Sequence, residues 1–239
     1  MRAIVLAAGV GCRFGPRTKN LPKCLIPLGR TGQTLLSRYL KSFKALGIRD
    51  VVIVCGHQRK KIFRFCAKEG AGLNIRFVVN NQYRRGSVVS LHSASAHLDS
   101  DTLVMDADVF FPTEALRRLQ ASRKKSAFLL DTRSKGAGEE MMVMSKNGRA
   151  VAVSKKILPG LKVVGETTGI VKLSARDAGM LKKILAGFIR KNILDVEYET
   201  AYTRLLRQKK VGVMKIDGFF WSEMDFPEDL AVILKNIKP

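Results

Sequence analysis

Short apolar runs alternate with helical segments along the first 130 residues of this chain. The apolar runs predict strands at residues 2–8, 51–55, 75–79, 102–105 and 126–130. Helical periodicity lies between them, at residues 33–46, 58–68, 88–98 and 113–124. Because neighbouring parallel strands need a long crossover, usually a helix, this alternation predicts an α/β fold. We expect a Rossmann-like, mainly parallel sheet flanked by helices, with right-handed connections.

The pattern changes after about residue 131. Strands at 141–145 and 150–155 flank Asn147-Gly148, a strong hairpin signal. A strand at 163–173, helices at 175–191 and 197–208, and a strand at 211–216 follow. A last helix is predicted at 225–237, capped by Asp225 with Pro227 in its first turn. We therefore predict one domain over residues 1–239, with a core at 1–130, a β-rich insertion at 131–210 and a closing segment at 211–239.

Composition is that of a water-soluble globular chain. Of its 239 residues, 46% are hydrophobic and 26% charged, which excludes wholesale disorder. We expect neither a signal peptide nor a transmembrane helix, because no apolar run reaches eighteen residues. The four cysteines form no C-x-x-C pair, which favours reduced thiols and a cytoplasmic location.

Positive charge is concentrated in the first half of the chain. The formal net charge is +23, and residues 1–98 hold eighteen basic side chains against the two acids Asp50 and Glu69. This half should prefer an anionic partner, which could be nucleic acid, a phosphorylated small molecule or anionic lipid. Some of these basic residues exceed what one anionic ligand would need: Lys41, Lys44, Arg59, Lys60, Lys61 and Arg64. They could form a solvated basic face or a peripheral contact with anionic membrane.

The most specific motif covers residues 6–28, LAAGVGCRFGPRTKNLPKCLIPL. A strand ends there and turns on Gly9 and Gly11, whose backbone N–H groups can approach phosphate oxygens because no Cβ intervenes. Arg13 and Lys23 add positive charge to the same loop. The motif lacks the Gly-Lys-Ser/Thr of a Walker A loop and the third glycine of the dinucleotide fingerprint.

Two acidic pairs lie far from this loop in sequence. Asp106 and Asp108 end a buried strand, which places them at the carboxyl edge where open α/β sheets bind ligands. Glu223 and Asp225 stand two apart on a predicted strand, so they share a face. Three carboxylates from distant points suit a hard cation such as Mg²⁺. The alternative is that one Asp of either pair caps a helix.

The motif resembles the signature of nucleotidyltransferases that couple a nucleoside triphosphate to a small phosphorylated substrate. That signature is L-A-A-G-x-G-x-R followed by P-K-x-L, and every element is present here. The resemblance implies that Arg13 grips the β- and γ-phosphates and that Lys23 serves the α-phosphate and the acceptor phosphate. It implies Mg²⁺ as cofactor on Asp108, Glu223 and Asp225, with Asp106 structural. It also implies nucleotide contacts, which fall on Leu6, Ala7, Ala8, Gly9, Gly11, Asn80, Gly86 and Ser87.

Within that superfamily the chain is most similar to the CTP-using branch. This branch acts on phosphocholine, inositol-1-phosphate or 2-aminoethylphosphonate, which implies transfer of CMP with release of pyrophosphate. The resemblance is carried by P-K-C-L-I-P-L, the Asn-rich loop, Asp-Ala-Asp and Glu-x-Asp-Phe-Pro-Glu-Asp. Acceptor contacts are expected from Glu166, Glu139 and Tyr198, and either an amine or inositol hydroxyls would suit them.

Two other functions are weighed against this one. A sugar-1-phosphate uridylyl- or thymidylyltransferase would share the motifs and differ in its nucleotide. A nucleic-acid-binding protein would suit the charge, but aromatic residues are only 7% and no recognition motif is visible. It would also leave Asp108, Glu223 and Asp225 without a role. We therefore expect CTP and a small phosphorylated acceptor as partners, and no specific nucleic acid.

Overall fold

The computed structural model describes residues 1–134, 136 and 138–237, so the predicted closing segment is described except for its last two residues. Eleven strands lie in this part of the chain: β1 Arg2–Ala7, β2 Asp50–Cys55, β3 Asn74–Val79, β4 Thr102–Asp106, β5 Val109–Phe110, β6 Ala127–Asp131, β7 Met142–Lys146, β8 Arg149–Ser154, β9 Lys162–Leu173, β10 Gly212–Lys215 and β11 Ser222–Glu223. Eight α-helices accompany them: α1 Arg17–Asn20, α2 Leu35–Ala45, α3 Arg59–Glu69, α4 Ser87–Ser93, α5 Thr113–Ala121, α6 Ala175–Arg190, α7 Glu199–Gln208 and α8 Pro227–Asn236.

Nine of the strands form one mixed sheet, and its main path runs β10-β6-β9-β4-β1-β2-β3. The hairpin β7–β8 adds to the first half of β9, while β5 and β11 pair separately. Seven of the nine strands point the same way, and β8 and β9 run against them. The predicted α/β class with a mainly parallel sheet is therefore confirmed.

The long strand β9 runs against most of the sheet. It lies between β6 and β4 and is antiparallel to both. Its first half also pairs antiparallel with β7 of the hairpin. Part of the predicted β-rich segment thus lies inside the main sheet.

Alternate residues of the central strands enter two cores, one on each face of the sheet. On β1, Ala3 and Val5 join the face covered by α2, while Ile4 joins the face covered by α6 and α7. Such continuous apolar strands are expected where both faces of a sheet are covered. The order also makes β1 and β4 neighbours at the point where the chain changes direction across the sheet, so their carboxyl ends open a crevice.

Three local predictions were wrong. Residues 9–23 are not a plain loop, because a 3₁₀ turn at Cys12–Phe14 and the short helix α1 lie within them. The helix predicted at 88–98 ends at Ser93, and a 3₁₀ turn follows at Ser95–His97. The cap of α8 is Phe226 rather than Asp225, although Pro227 does stand at the helix start.

Within residues 1–134, 136 and 138–237, no helix combines the length and apolarity needed to cross a bilayer.

Candidate active site

Lys23 joins the glycine-rich loop to both acidic pairs. Its ammonium donates to Asp108 Oδ2 and to Asp225 Oδ1, each at 2.7 Å. The Arg13 guanidinium donates to the other oxygen of Asp225 at 2.6 Å. Two cations of the predicted phosphate loop and one carboxylate of each predicted pair therefore meet at one point.

The charges in this cluster shift two pKa values. Burial alone would lower the pKa of Lys23, but the carboxylates of Asp108 and Asp225 more than offset it and hold the pKa above its usual value. Burial and then the negative charges of Asp108 and Asp225 raise the pKa of Glu223 to about 8. The negative potential at Glu223 is therefore not cancelled by the single charge of Lys23.

The residues present fit a divalent cation, although they do not form a complete cage. No group of three His, Cys, Asp or Glu side chains within the described ranges is arranged as a metal site. Asp108 and Asp225 nonetheless already converge on one cation, the Lys23 ammonium. Mg²⁺ is bound in proteins by one or two carboxylates together with water and substrate phosphates, so two converging carboxylates suffice.

The two predicted acids after β11 differ in backbone setting. β11 ends at Glu223, and Asp225 lies beyond it rather than on a shared strand face. The side chain of Asp229 accepts from the backbone N–H of both Asp225 and Phe226. Asp229 thus performs the capping expected of Asp225, which leaves the Asp225 carboxylate free for Lys23 and Arg13.

Asp106 is the last residue of β4, and its carboxyl is buried. Its carboxyl accepts from the Tyr198 hydroxyl at 2.5 Å, and burial, then the charge of Asp108, raises its pKa well above the usual value. Gly169 of β9 makes room for it, since a Cβ there would lie 2.5 Å from Asp106 Oδ2, and its φ is +68°. Asp106 therefore supports the pocket wall, in line with its predicted structural role.

A buried tyrosine anchors the turn that carries Asp108. The hydroxyl of Tyr39 lies 2.9 Å from the carbonyl of Asp106 and accepts from the backbone N–H of Val109 at 3.0 Å. Tyr39 is on α2, whose N-terminus is closed by a capping box between Thr34 and Ser37. Nothing in the sequence pattern links this tyrosine to the site.

One pocket of about 430 Å³ gathers most of the predicted residues. Its lining includes Leu6, Ala8, Gly9, Arg13, Ser87, Asp108, Glu139, Glu166, Tyr198, Glu223 and Asp225. An adjoining cavity of about 80 Å³ is lined by Ala7, Gly11 and Lys23 together with Asp108. Fourteen of the sixteen predicted positions therefore line the pocket itself or the cavity that shares Asp108 with it, and two lie elsewhere.

Those two are Asn80 and Gly86. Asn80 is buried, donates to Ser90 Oγ at 3.0 Å and accepts from the backbone of Gln82, so it shapes the loop from within. A Cβ on Gly86 would lie 2.3 Å from the carbonyl of Val196, so this glycine permits a close approach of two backbones. Their predicted contacts with the nucleotide stay predictions.

Most of the charged side chains that line the pocket are acidic, and we call the part that includes Glu139, Glu166 and Glu197 the acidic wall. Nine carboxyl groups line the pocket against only three cationic side chains, Arg13, Arg85 and Lys155. The Lys155 ammonium lies 3.3 Å from Glu139 and 3.4 Å from Glu197, so it bridges two members of this wall. Burial raises the pKa of Glu166, which belongs to the same wall. Carboxyl groups therefore outnumber the cations of the pocket, and Glu139 lies 3.7 Å from Arg13 as well as close to Lys155.

Several lining residues were missed by the sequence analysis. Phe226 lies under the Arg13 guanidinium, 5.5 Å from its ring centroid. Arg85 lines the pocket while pairing with Asp195 at its rim. Lys155 belongs to the predicted hairpin, and no motif marks it. The one available signal was the acidity of the 195–199 segment, which the chain places opposite Lys155.

A glycine-rich phosphate loop facing carboxylates at the end of β4 is the arrangement of a nucleotidyltransferase site. Residues 3–188 match the MobA-like NTP transferase domain, and the chain belongs to that family. The resemblance to nucleotidyltransferases found in the sequence is thereby confirmed at the level of the family.

Two relatives show the range of proteins that contain a similar segment. The CMP-5'-(3-aminopropyl)phosphonate synthase of Streptomyces rubellomurinus is 35% identical over 128 residues, covering 53% of this chain and 20% of that protein. The bifunctional IPC transferase and DIPP synthase of Rubrobacter xylanophilus is 30% identical over 234 residues, covering 96% of this chain and 50% of that protein. The chain thus spans half or less of the length of these relatives.

Solved structures show the same fold at low identity. A CTP:phosphocholine cytidylyltransferase from Streptococcus pneumoniae superposes with a TM-score of 0.78 at 20% identity, covering 99% of both chains. A putative glucose-1-phosphate thymidylyltransferase from Bacillus anthracis superposes with a TM-score of 0.79 at 18% identity, covering 100% of this chain and 97% of that one. The fold is therefore shared by proteins with different nucleotides, and it does not select the substrate.

Proposed function

We propose that this protein transfers CMP from CTP to a small phosphorylated alcohol or phosphonate and releases pyrophosphate. The observation that carries the proposal is the presence of loop cations and an excess of carboxyl groups in one pocket. Arg13 and Lys23 belong to the glycine-rich loop, and the acidic wall includes Glu166 and Glu197. The loop cations suit a triphosphate, and the carboxyl groups suit an acceptor that carries a positive group beside its phosphate or phosphonate.

The reaction needs no covalent intermediate. An oxygen of the acceptor phosphate or phosphonate is already ionised at neutral pH, so it can attack the α-phosphorus of CTP directly. The bond to the β-phosphate oxygen breaks, and pyrophosphate leaves with that electron pair. Catalysis then consists of holding two polyanions together and neutralising their repulsion.

Lys23 and Arg13 supply that neutralisation. The Lys23 ammonium lies among carboxylates in the free protein, so it is held in place before substrates arrive. Arg13 is half exposed and stacks on Phe226, which leaves its guanidinium at the mouth of the pocket for the outer phosphates. A Mg²⁺ ion held by Asp108 and Asp225, with Glu223 beside them, would add Lewis-acid stabilisation of phosphate oxygens.

The acidic wall favours an acceptor with a positive charge. Lys155 shows that Glu139 and Glu197 hold an ammonium group between them. Glu166 offers a half-buried carboxyl on the same wall, where screening by water is weak. We therefore favour an amine-bearing acceptor, such as a phosphorylated amino alcohol or an aminoalkylphosphonate, over a polyol phosphate.

A panel of nucleotides and acceptors tests the proposal by pyrophosphate release. Each of four nucleoside triphosphates with Mg²⁺ is paired with phosphocholine, 2-aminoethylphosphonate, inositol-1-phosphate, glycerol-3-phosphate or glucose-1-phosphate. We expect release with CTP and an amine-bearing acceptor. Release with UTP or dTTP and glucose-1-phosphate would instead make the protein a sugar-phosphate nucleotidyltransferase.

A variant pair tests the role of the wall. Glu166→Gln should raise KM for the amine-bearing acceptor at least tenfold and leave KM for CTP within twofold, because it removes a charge opposite the amine. Glu228→Gln, an exposed acid on α8, is the matched control. The cytoplasmic location and the contact with anionic membrane stay predictions.

A further inference from the structure

A second cavity lies away from the active pocket, between two free strand edges. It measures about 640 Å³, within the range of small-molecule sites. Among the described strands, β8 pairs only with β7 and β10 only with β6, so each has one edge without a partner strand there. Residues of both edges line the cavity, and Lys162, Val163 and Val164 of β9 lie between them. We call this cavity the β8–β10 groove.

Among the residues that the structure describes, five cationic side chains and no carboxylate line the β8–β10 groove. They come from four separate parts of the chain: Lys124, Arg149, Lys162, Lys210 and Lys215. Lys124 and Arg149 donate to backbone carbonyls of Val213 and Leu206. A convergence across ninety residues of sequence is produced by the fold and is not a basic run in the sequence.

Three of the five cations have no counter-charge in contact. The side chains of Lys162, Lys210 and Lys215 form no hydrogen bond or ion pair with any described residue. Asp217 lies within electrostatic range of Lys215 without forming an ion pair with it, and its carboxylate accepts from the hydroxyl and the N–H of Thr132. Like charges around one concavity repel each other, and a bound anion would relieve that repulsion.

Apolar side chains line the groove beneath the cations. Val163, Val164 and Val213 are only partly covered, and Val211 and Ala150 are buried beside them. A bare inorganic anion would leave this surface exposed to water. A ligand with an apolar body and a terminal phosphate would cover the valines and reach the cationic rim at once.

We propose that the β8–β10 groove binds a phosphate monoester or diester that carries an apolar body. Nucleotides and phospholipids share this chemistry, and the experiment below distinguishes them. The groove is separate from the active pocket, yet β9 contributes to both, since Lys162 lines one and Glu166 lines the other. The proposal stands independently of the reaction catalysed, because it concerns binding at another place.

The test is isothermal titration of the full chain with three probes. They are phenyl phosphate, adenosine 5′-monophosphate and the soluble short-chain lipid dihexanoyl phosphatidic acid. Each titration is run with Mg²⁺ and a saturating, non-hydrolysable CTP analogue, so that the active pocket is already filled. Binding of the nucleotide or of the lipid identifies the source, and either result supports the site.

Two matched triple variants locate the binding. Lys162→Ala/Lys210→Ala/Lys215→Ala removes the three unpaired groove cations, and all three side chains are exposed, so folding should be retained. Lys41→Ala/Lys60→Ala/Lys68→Ala removes three exposed lysines outside the groove, so both variants lower the net charge from +23 to +20. We expect Kd to rise about tenfold or more in the groove variant and to stay within about twofold in the control.

Two results would overturn the proposal. Equal weakening in both triple variants would show that the probes respond to overall charge and not to the groove. No binding of any probe by the wild-type chain at about 1 mM would show that the cavity has no such ligand. A chain that binds in the groove but fails every turnover assay would refute the proposed reaction alone.

Discussion

The Lys23 ammonium lies 2.7 Å from Asp225 Oδ1, although the two residues are 202 positions apart. Lys23 stands in a 3₁₀ turn beyond β1, and Asp225 follows β11, which pairs with β5 just after Asp108. The same nitrogen reaches Asp108 at 2.7 Å. The free protein thus holds Lys23 at the place where two carboxylates converge, and the predictions for the site rest on this arrangement.

Replacing Lys23 should impair catalysis much more than binding of the nucleotide base. Lys23→Ala removes a preorganised cation from the point where two polyanions must meet, so kcat should fall about 10²- to 10³-fold. Steady-state pyrophosphate release with CTP and the preferred acceptor measures this. Lys19→Ala, which replaces an exposed lysine of α1, should leave kcat within about twofold of the wild type. Near-normal turnover of Lys23→Ala would remove the role assigned to it.

Replacing Asp108 or Asp225 should raise the concentration of Mg²⁺ that the reaction needs. Asp108→Asn or Asp225→Asn halves the number of charged carboxylates that converge on the cation position, so half-maximal activity should need about tenfold more Mg²⁺. Titrating Mg²⁺ at fixed CTP measures this shift. The control Glu228→Gln should need the same Mg²⁺ concentration as the wild type, because its carboxyl is exposed on α8 and away from the cation position. An unchanged requirement in both Asn variants would place the metal elsewhere.

The sequence predicted those parts of the site that follow strand ends. The glycine-rich loop, Asp108 and Asp225 belong to motifs, and the α/β alternation already brings strand ends to a common edge. Lys155, Tyr39 and Gly169 could not be predicted, because their contacts depend on how β9 and the hairpin fold back. The prediction that Asp225 caps α8 was wrong for a related reason. The Asp229 side chain accepts from the backbone N–H of Asp225, and the Asp225 carboxylate pairs with Lys23 instead.

The close approach of Gly169 to the Asp106 carboxyl can be tested by substitution. A Cβ at this position would lie 2.5 Å from Asp106 Oδ2, and the φ of +68° is strained for any other residue, so Gly169→Ala should destabilise the protein by about 2 kcal/mol or more. Gly179→Ala is the matched control. Gly179 lies within α6 with open space around its Cα, so the same change there should stabilise by about 0.5–1 kcal/mol. Urea unfolding of both variants gives the two free energies, and a neutral result for Gly169→Ala would contradict the close contact.

Glu199 should make stability depend on pH in a definite direction. It is the first residue of α7, and burial raises its pKa to about 7 from a usual value of 4.5. The folded state therefore binds a proton that the unfolded state releases, so the contribution of Glu199 to stability is complete below pH 4.5 and is lost as the pH rises through about 7. The glutamine of Glu199→Gln is neutral at every pH. Its free energy of unfolding, relative to that of the wild type, should therefore rise by about 1–3 kcal/mol between pH 5 and 8.5. Urea unfolding at several pH values measures that difference, with Glu228→Gln as an exposed control whose difference should stay flat. A flat difference for Glu199→Gln as well would mean that Glu199 titrates as an ordinary solvated acid.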